Sequence, residues 1–197
     1  MDSHQRFNIT TDPDPRAVVL VEGASDQNAL EALAERRGRN LAGERVSIVA
    51  TGGATNFGRF LDSWGPHGAG IKMAGLIDAG EEGDVRRGLQ RAGFGNGLTR
   101  DEMERLGFYV CVLDLEDELI RALGADSVER VVVAAGELGK FRTFQGQPAW
   151  QGRPVTEQLR RFVGTSSGRK IRYGRLLVEA LDLAQVPRPL DLVLAQV

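Results

Sequence analysis

The sequence predicts an α/β fold: a four-stranded, mainly parallel sheet flanked by helices, with a C-terminal helical appendage. Three observations lead there. Short apolar, largely β-branched runs recur at 17–21, 46–50, 72–77 and 108–113. Each is followed by residues with helical spacing, the pattern of βαβ units. Three of the runs close on acids: Glu22 after the first, Asp78 after the third, Asp114 and Glu116 after the fourth. From Ser127 onward the apolar spacing is helical only. The implied boundaries are a flexible lead-in over 1–15, an α/β domain over 16–124 and a helical, basic appendage over 125–197.

The elements follow in order. Ala17 to Val21 is a buried strand, and Gly23 turns the chain sharply after Glu22. Ser25 is the expected N-cap of a helix to Arg37, with Asp26 in its first turn, where the helix dipole favours an anion. Val46 to Ala50 is the second strand, and Thr51-Gly52-Gly53-Ala54-Thr55-Asn56 turns into a short helix. Lys72 to Ile77 is the third strand, followed by a helix over Glu82 to Ala92. Thr99 with Glu102 three residues on is a capping box. Phe108 to Leu113 is the fourth strand, and Leu115 to Leu123 a helix. Beyond it, Val128, Val131 and Val132 mark one helix, Leu159, Phe162 and Val163 another, and Arg169 to Ala184 a third. Pro187 and Pro189 punctuate before a last short apolar segment.

Composition narrows the chemistry. With 197 residues, 42% apolar and 26% charged, the chain has the make-up of an ordinary globular protein. No apolar run is long enough to span a bilayer, and the N-terminus has no apolar core of a secretory signal, so no membrane partner is expected. The single Cys111 lies in an apolar strand and reads as a buried hydrophobe; the lack of a disulfide framework suits a cytoplasmic protein. Two histidines, His4 and His67, leave oxygen as the donor for any metal. There is no GxxxxGK[ST] loop, no GxGxxG spacing and no Ser-His-Asp arrangement. Charge is uneven: Lys140, Arg142, Arg153, Arg160, Arg161, Arg169, Lys170, Arg172 and Arg175 crowd one segment in which Glu157 is the only acid. A basic arm on an acidic body suits a polyanion; a solvated helical face is the plain alternative.

Carboxylates gathered at strand ends repel unless a cation neutralises them. Glu22, Asp26, Asp78 and Glu116 would make an oxygen-only set suited to Mg2+ or Mn2+, with Glu82, Asp84 and Asp114 as further candidates. A capping or turn role accounts equally for Asp26. It accounts less well for Glu22, which closes a buried strand.

The stretches VLVEGASD, TGGATNFGRF, AGLIDAGEEGD and DLEDELIRALG together resemble the Toprim domain in the form found in the overcoming-lysogenization-defect (OLD) nucleases, over Arg16 to Gly124. The helical tail resembles the appendage of those nucleases, and GRKIRYGRLLVEAL resembles the segment that carries their catalytic lysine. The resemblance implies a metal-dependent nuclease, with nucleic acid, DNA foremost, as partner. It implies Glu22 as catalytic and metal-binding, Asp26, Asp78 and Glu116 as metal ligands, and Lys170 as catalytic. Lys140, Arg142, Arg160, Arg161, Arg169, Arg172 and Arg175 then grip the backbone without reading sequence. The sequence departs from the family at Gly80, where the DxD motif has its second acid. OLD nucleases carry an ATPase domain before Toprim, for which this sequence has no room, so ATP hydrolysis is expected to be absent here or supplied by a separate protein. A homodimer is compatible with this reading. Two other classes stay open: a non-cutting Toprim module that binds nucleic acid or metal, and a topoisomerase- or primase-type factor. The latter needs a tyrosine domain or polymerase body that Tyr109 and Tyr173 do not supply.

Overall fold

The computed structural model describes residues 15–197, so the lead-in expected over 1–15 lies, except for its last residue, outside the described residues. Four strands form one parallel sheet: β1 (Ala17–Val21), β2 (Val46–Ala50), β3 (Lys72–Ile77) and β4 (Phe108–Val110), in the order β2-β1-β3-β4. Chain direction away from β1 reverses between β2 and β3. Open α/β sheets place their sites at such a switch point, outside the carboxyl ends of the strands.

Helices α1 (Ala24–Arg36), α2 (Ala54–Trp64), α3 (Glu82–Arg91), α4 (Arg100–Arg105) and α5 (Leu115–Leu123) connect and flank the strands. Then come α6 (Ala125–Ala134), α7 (Leu138–Gln145), α8 (Val155–Val163), α9 (Ser167–Ala180) and α10 (Arg188–Ala195). Side chains alternate across the sheet, as the two-residue period of a strand requires. Val18, Leu20, Met73, Ile77, Phe108 and Val110 face α2 and α3 through Phe57, Leu61, Val85 and Leu89. Val19, Val21, Ile48, Ala74, Leu76 and Cys111 face α1, α5 and the later helices through Leu30, Leu33, Leu119, Phe162, Tyr173 and Leu177. The C-terminal helices therefore share the main core of one sheet face.

Local differences from the sequence reading have simple causes. The cap of α1 is Gly23, not Ser25: Asp26 reaches back to the Gly23 N–H at 2.8 Å, so the acid does the capping work. Strand β4 stops at Val110 because the main chain turns away, with the Val112 N–H given to Glu118 at 2.8 Å. Helix α9 ends at Ala180, four residues early, and Arg36 of α1 donates to the carbonyls of Val178 and Leu181 there. Helix α7 carried no clear apolar stripe of its own and was not expected. Thr99 and Glu102 form the expected capping box. Among the described residues no helix is long and apolar enough to cross a membrane.

Candidate active site

The rim at the carboxyl ends of β1, β3 and β4 collects the acids. Glu22 leaves β1 at the switch point, and its carbonyl accepts from the Gly52 N–H at 2.8 Å, tying the β2–α2 turn to the same edge. That turn needs its glycines: Gly52 and Gly53 have φ of 74° and 115°. Asp78 follows β3, and the Ala79 N–H donates to the Leu113 carbonyl at 2.9 Å, which holds the β3 and β4 ends side by side. Asp114 caps α5 by accepting from the Asp117 N–H at 2.8 Å, and this sets Glu116 in the first turn of α5, only 3% exposed.

The electrostatics record how close these groups lie. Burial raises Asp78 first, then the charge of Asp26 and a hydrogen bond with Glu22, and it reaches about 8. Burial likewise raises Asp26, against the lowering bond from Gly23. Burial pushes Glu116 up to about 7, while Lys170 pulls it back. A carboxyl near 8 keeps its proton at neutral pH, so Asp78 stands protonated among its acidic neighbours.

Lys170 enters this rim from α9. Its Nζ lies 3.3 Å from Glu116 Oε2. Burial opposes its charge, but Glu116, Asp26 and Asp78 outweigh that and hold it above the usual lysine range. The other oxygen of Glu116, Oε1, is buried without a hydrogen-bond partner. An oxygen-only donor set with repelling neighbours and an orphaned carboxylate oxygen fits a hard divalent cation. Among the described residues no three acids, histidines or cysteines are already drawn together as a ligand shell. Glu116 is instead held by Lys170, and Asp114 by Arg160.

Other candidates are placed differently from the expectation. Asp114 is clamped by Arg160, whose Nε lies 3.1 and 2.9 Å from its two oxygens, and it caps α5. Glu82 pairs with Arg86 and Arg100, and Asp84 with Arg87. Much of the basic arm is also engaged. Arg142 pairs with Glu129, Lys140 with Glu137, and Arg175 with Glu35 and Glu179. Arg172 donates to the Ala135 carbonyl at 3.1 Å. Arg169 lies over the Phe162 ring and pairs with the buried Glu137, which it holds down at about 2. Charge counting could not see these pairs, because most of the acids lie outside the basic segment. Arg169→Ala is accordingly expected to act on the fold, at about 2 kcal/mol, between an exposed and a fully buried pair. Urea unfolding measures it, and an unchanged midpoint refutes it.

Beside the rim lies an open cleft of about 510 Å³ lined by Leu113, Glu116, Trp150, Arg153, Arg161 and Lys170 among others. Arg161 is exposed and has no ion pair among the described residues, and Arg153 lies over the Trp150 ring. Sequence reading missed Trp150, which gave no motif. A hollow of about 570 Å³ beside β2 is larger, but Glu31, Glu35 and Arg39 line it and no rim acid does.

Residues 15–79, which hold Glu22, Asp26 and Asp78, match the family model for the overcoming lysogenization defect protein-like TOPRIM domain. Over those residues the chain is similar to an OLD-like Toprim domain. The C-terminal region of the Xanthomonas campestris pv. campestris OLD protein is 24% identical at a TM-score of 0.66, covering 94% of this chain and 95% of that one. A second structure of that region, phased with platinum, gives 23% and 0.70, covering 92% and 91%. The C-terminal region of the Burkholderia pseudomallei OLD protein is 20% identical at 0.71, covering 92% and 96%. These likenesses show that the fold extends from the Toprim sheet through the helical part. No curated protein matches the chain.

Proposed function

We propose that the protein is a divalent-metal-dependent nuclease that hydrolyses phosphodiester bonds of nucleic acid, DNA foremost. The observation that carries this is the meeting, on one Toprim rim, of Glu22, Asp26, Asp78 and Glu116 with Lys170, at the edge of a cleft that Arg153 and the Arg161 left unpaired among the described residues also line. Glu22, Asp26, Asp78 and Glu116 would hold Mg2+ or Mn2+, which when bound supplies Lewis-acid charge and a more acidic water. Lys170 keeps its proton throughout and donates to a phosphoryl oxygen as negative charge builds there. Arg153 and Arg161 hold the flanking phosphates, and Trp150 gives the cleft an apolar wall. Asp114 and Arg160 fix the β4–α5 turn against α8, so that Glu116 keeps its place.

The test is incubation with supercoiled and linear DNA in Mg2+, Mn2+ or EDTA, with nicking or cutting in the first two only. A parent protein that never cuts with any divalent ion shifts the reading to a non-cutting module, which Gly80 favours. A Cβ there meets nothing within 4 Å, so space for the second DxD acid exists but the acid is absent. The OLD relationship further suggests an ATPase as working partner.

Arg161→Ala is expected to weaken DNA binding and lower the salt slope by about one, as for one lost phosphate contact. Fluorescence anisotropy across a salt series in Ca2+ measures it. An unchanged slope removes Arg161 from the interface.

A further inference from the structure

We infer that Gly174 is the spacer that sets Lys170 against the carboxylate rim. This rests on the nuclease reading of that rim. Helix α9 runs against α1, and at Gly174 the two main chains come close. A Cβ built there would lie 2.6 Å from the Ser25 carbonyl oxygen, 3.3 Å from its carbon and 3.6 Å from its Cα. All three are main-chain atoms, so no side-chain rotation relieves the clash. They belong to the first turn of α1, which has little freedom to retreat. Ser25 and Asp26 are buried, and Asp26 is tied to the Gly23 N–H.

Gly174 has no conformational reason to be glycine. It sits inside α9 among helical residues, where alanine is the better helix former. The constraint is spatial. Any side chain there must drive α9 away from α1 until the contact relaxes.

Lys170 is four residues earlier, one turn along the same face of α9. Its ammonium meets Glu116 at 3.3 Å, already the long end of a charged hydrogen bond, so an outward step of α9 breaks it. The far side of the helix cannot compensate, because Arg169 is fixed by Glu137 and Phe162. Gly168, in the same helix, is a contrast: a Cβ there meets nothing within 4 Å. Gly174 is therefore a positioning residue that acts through Lys170.

The experiment combines Gly174→Ala with two readouts. The first needs no activity: a thermal-melt double-mutant cycle between Lys170→Met and Glu116→Gln, run in the parent and in Gly174→Ala. Coupling is expected in the parent and absent in the variant. The second is single-turnover cleavage of DNA in Mg2+, expected to fall about a hundredfold, the scale for a catalytic group displaced by an ångström, with KM and Mg2+ affinity within twofold. Gly168→Ala should match the parent in both. Coupling and rate that survive Gly174→Ala overturn the inference. So does a loss of Mg2+ affinity and KM in step with the rate, which marks a merely structural glycine, and so does a variant that fails to fold. A parent that never cuts removes the nuclease reading alone, because the melt cycle still decides the spacing.

Discussion

Lys170→Ala is expected to lower DNA cleavage about a hundredfold, the scale for losing one preorganised donor to a developing oxyanion. A lysine in the first turns of a helix opposes the helix dipole and would be a liability in isolation. Its position is offset by Glu116 at 3.3 Å and by the charges of Asp26 and Asp78, which hold its proton firmly. Removing it leaves Glu116 without its ion-pair partner and pushes that carboxyl further up from about 7, because Lys170 lowers it. At neutral pH Glu116 then takes up a proton, so the fold survives with little loss. Mg2+ still binds at a raised pH, where Glu116 ionises. The measurement is kcat at saturating DNA, with Mg2+ affinity in parallel. Lys170→Ala that cuts as fast as the parent removes the lysine from the chemistry. Loss of Mg2+ affinity equal to the loss of rate would make its role structural.

Asp78→Asn is expected to abolish the stabilisation that a divalent ion gives and to lower cleavage at least about a hundredfold, as for a damaged metal site. The sign of its pH dependence follows from the raised carboxyl. Asp78 stands at about 8 in the fold against 3.8 in the open chain, so the folded protein holds a proton that the unfolded chain releases. Folding stability without a divalent ion is then fully present below about pH 4 and declines as pH rises towards 8. Glu116, at about 7 against 4.5, acts in the same direction over a narrower window. Glu137, held at about 2, acts oppositely, and its contribution is lost only in acid below its ordinary range. A divalent ion takes the place of the proton. Its gain should therefore grow from pH 6 to pH 8, with about 2.7 kcal/mol at a hundredfold excess over Kd as the reference scale. In Asp78→Asn the decline between pH 4 and 8 should shrink and the gain vanish. Calorimetry with Mg2+ and with EDTA decides. A gain independent of pH, or one retained in Asp78→Asn, would put the ion elsewhere.

The strands and the rim were legible because they are local. A β-branched run followed by an acid and a glycine states its strand, its turn and the end of the sheet within ten residues, as Val18 to Asp26 do. Parallel connection then places all such ends on one edge, so Glu22, Asp78 and Glu116 needed no long-range information to be grouped. Gly23 as the cap of α1, closed by the Asp26 side chain in place of a Ser25 cap, lay beyond sequence reading because both Ser25 and Asp26 suit a helix start and only geometry chooses.

What the tertiary structure alone decided is the fate of the charges. Arg160 and Arg161 are neighbours of identical type, yet one clamps Asp114 while the other lies open to solvent. Glu82 and Asp84 follow Asp78 as closely as any ligand pattern asks, but arginines of α3 and α4 claim Glu82 and Arg87 claims Asp84. Ion pairs form between side chains far apart in sequence, and composition carries no record of which pairs meet. Gly174 belongs with them: in the sequence it is a poor helix residue, and only the Ser25 carbonyl packed against it gives it a reason. Local pattern thus determined the strands, their order of carboxylates and the rim, since these depend on residues a few positions apart. The approach of α9 decided which of those carboxylates meets a lysine, because that distance is set by packing between helices more than a hundred residues apart in the chain.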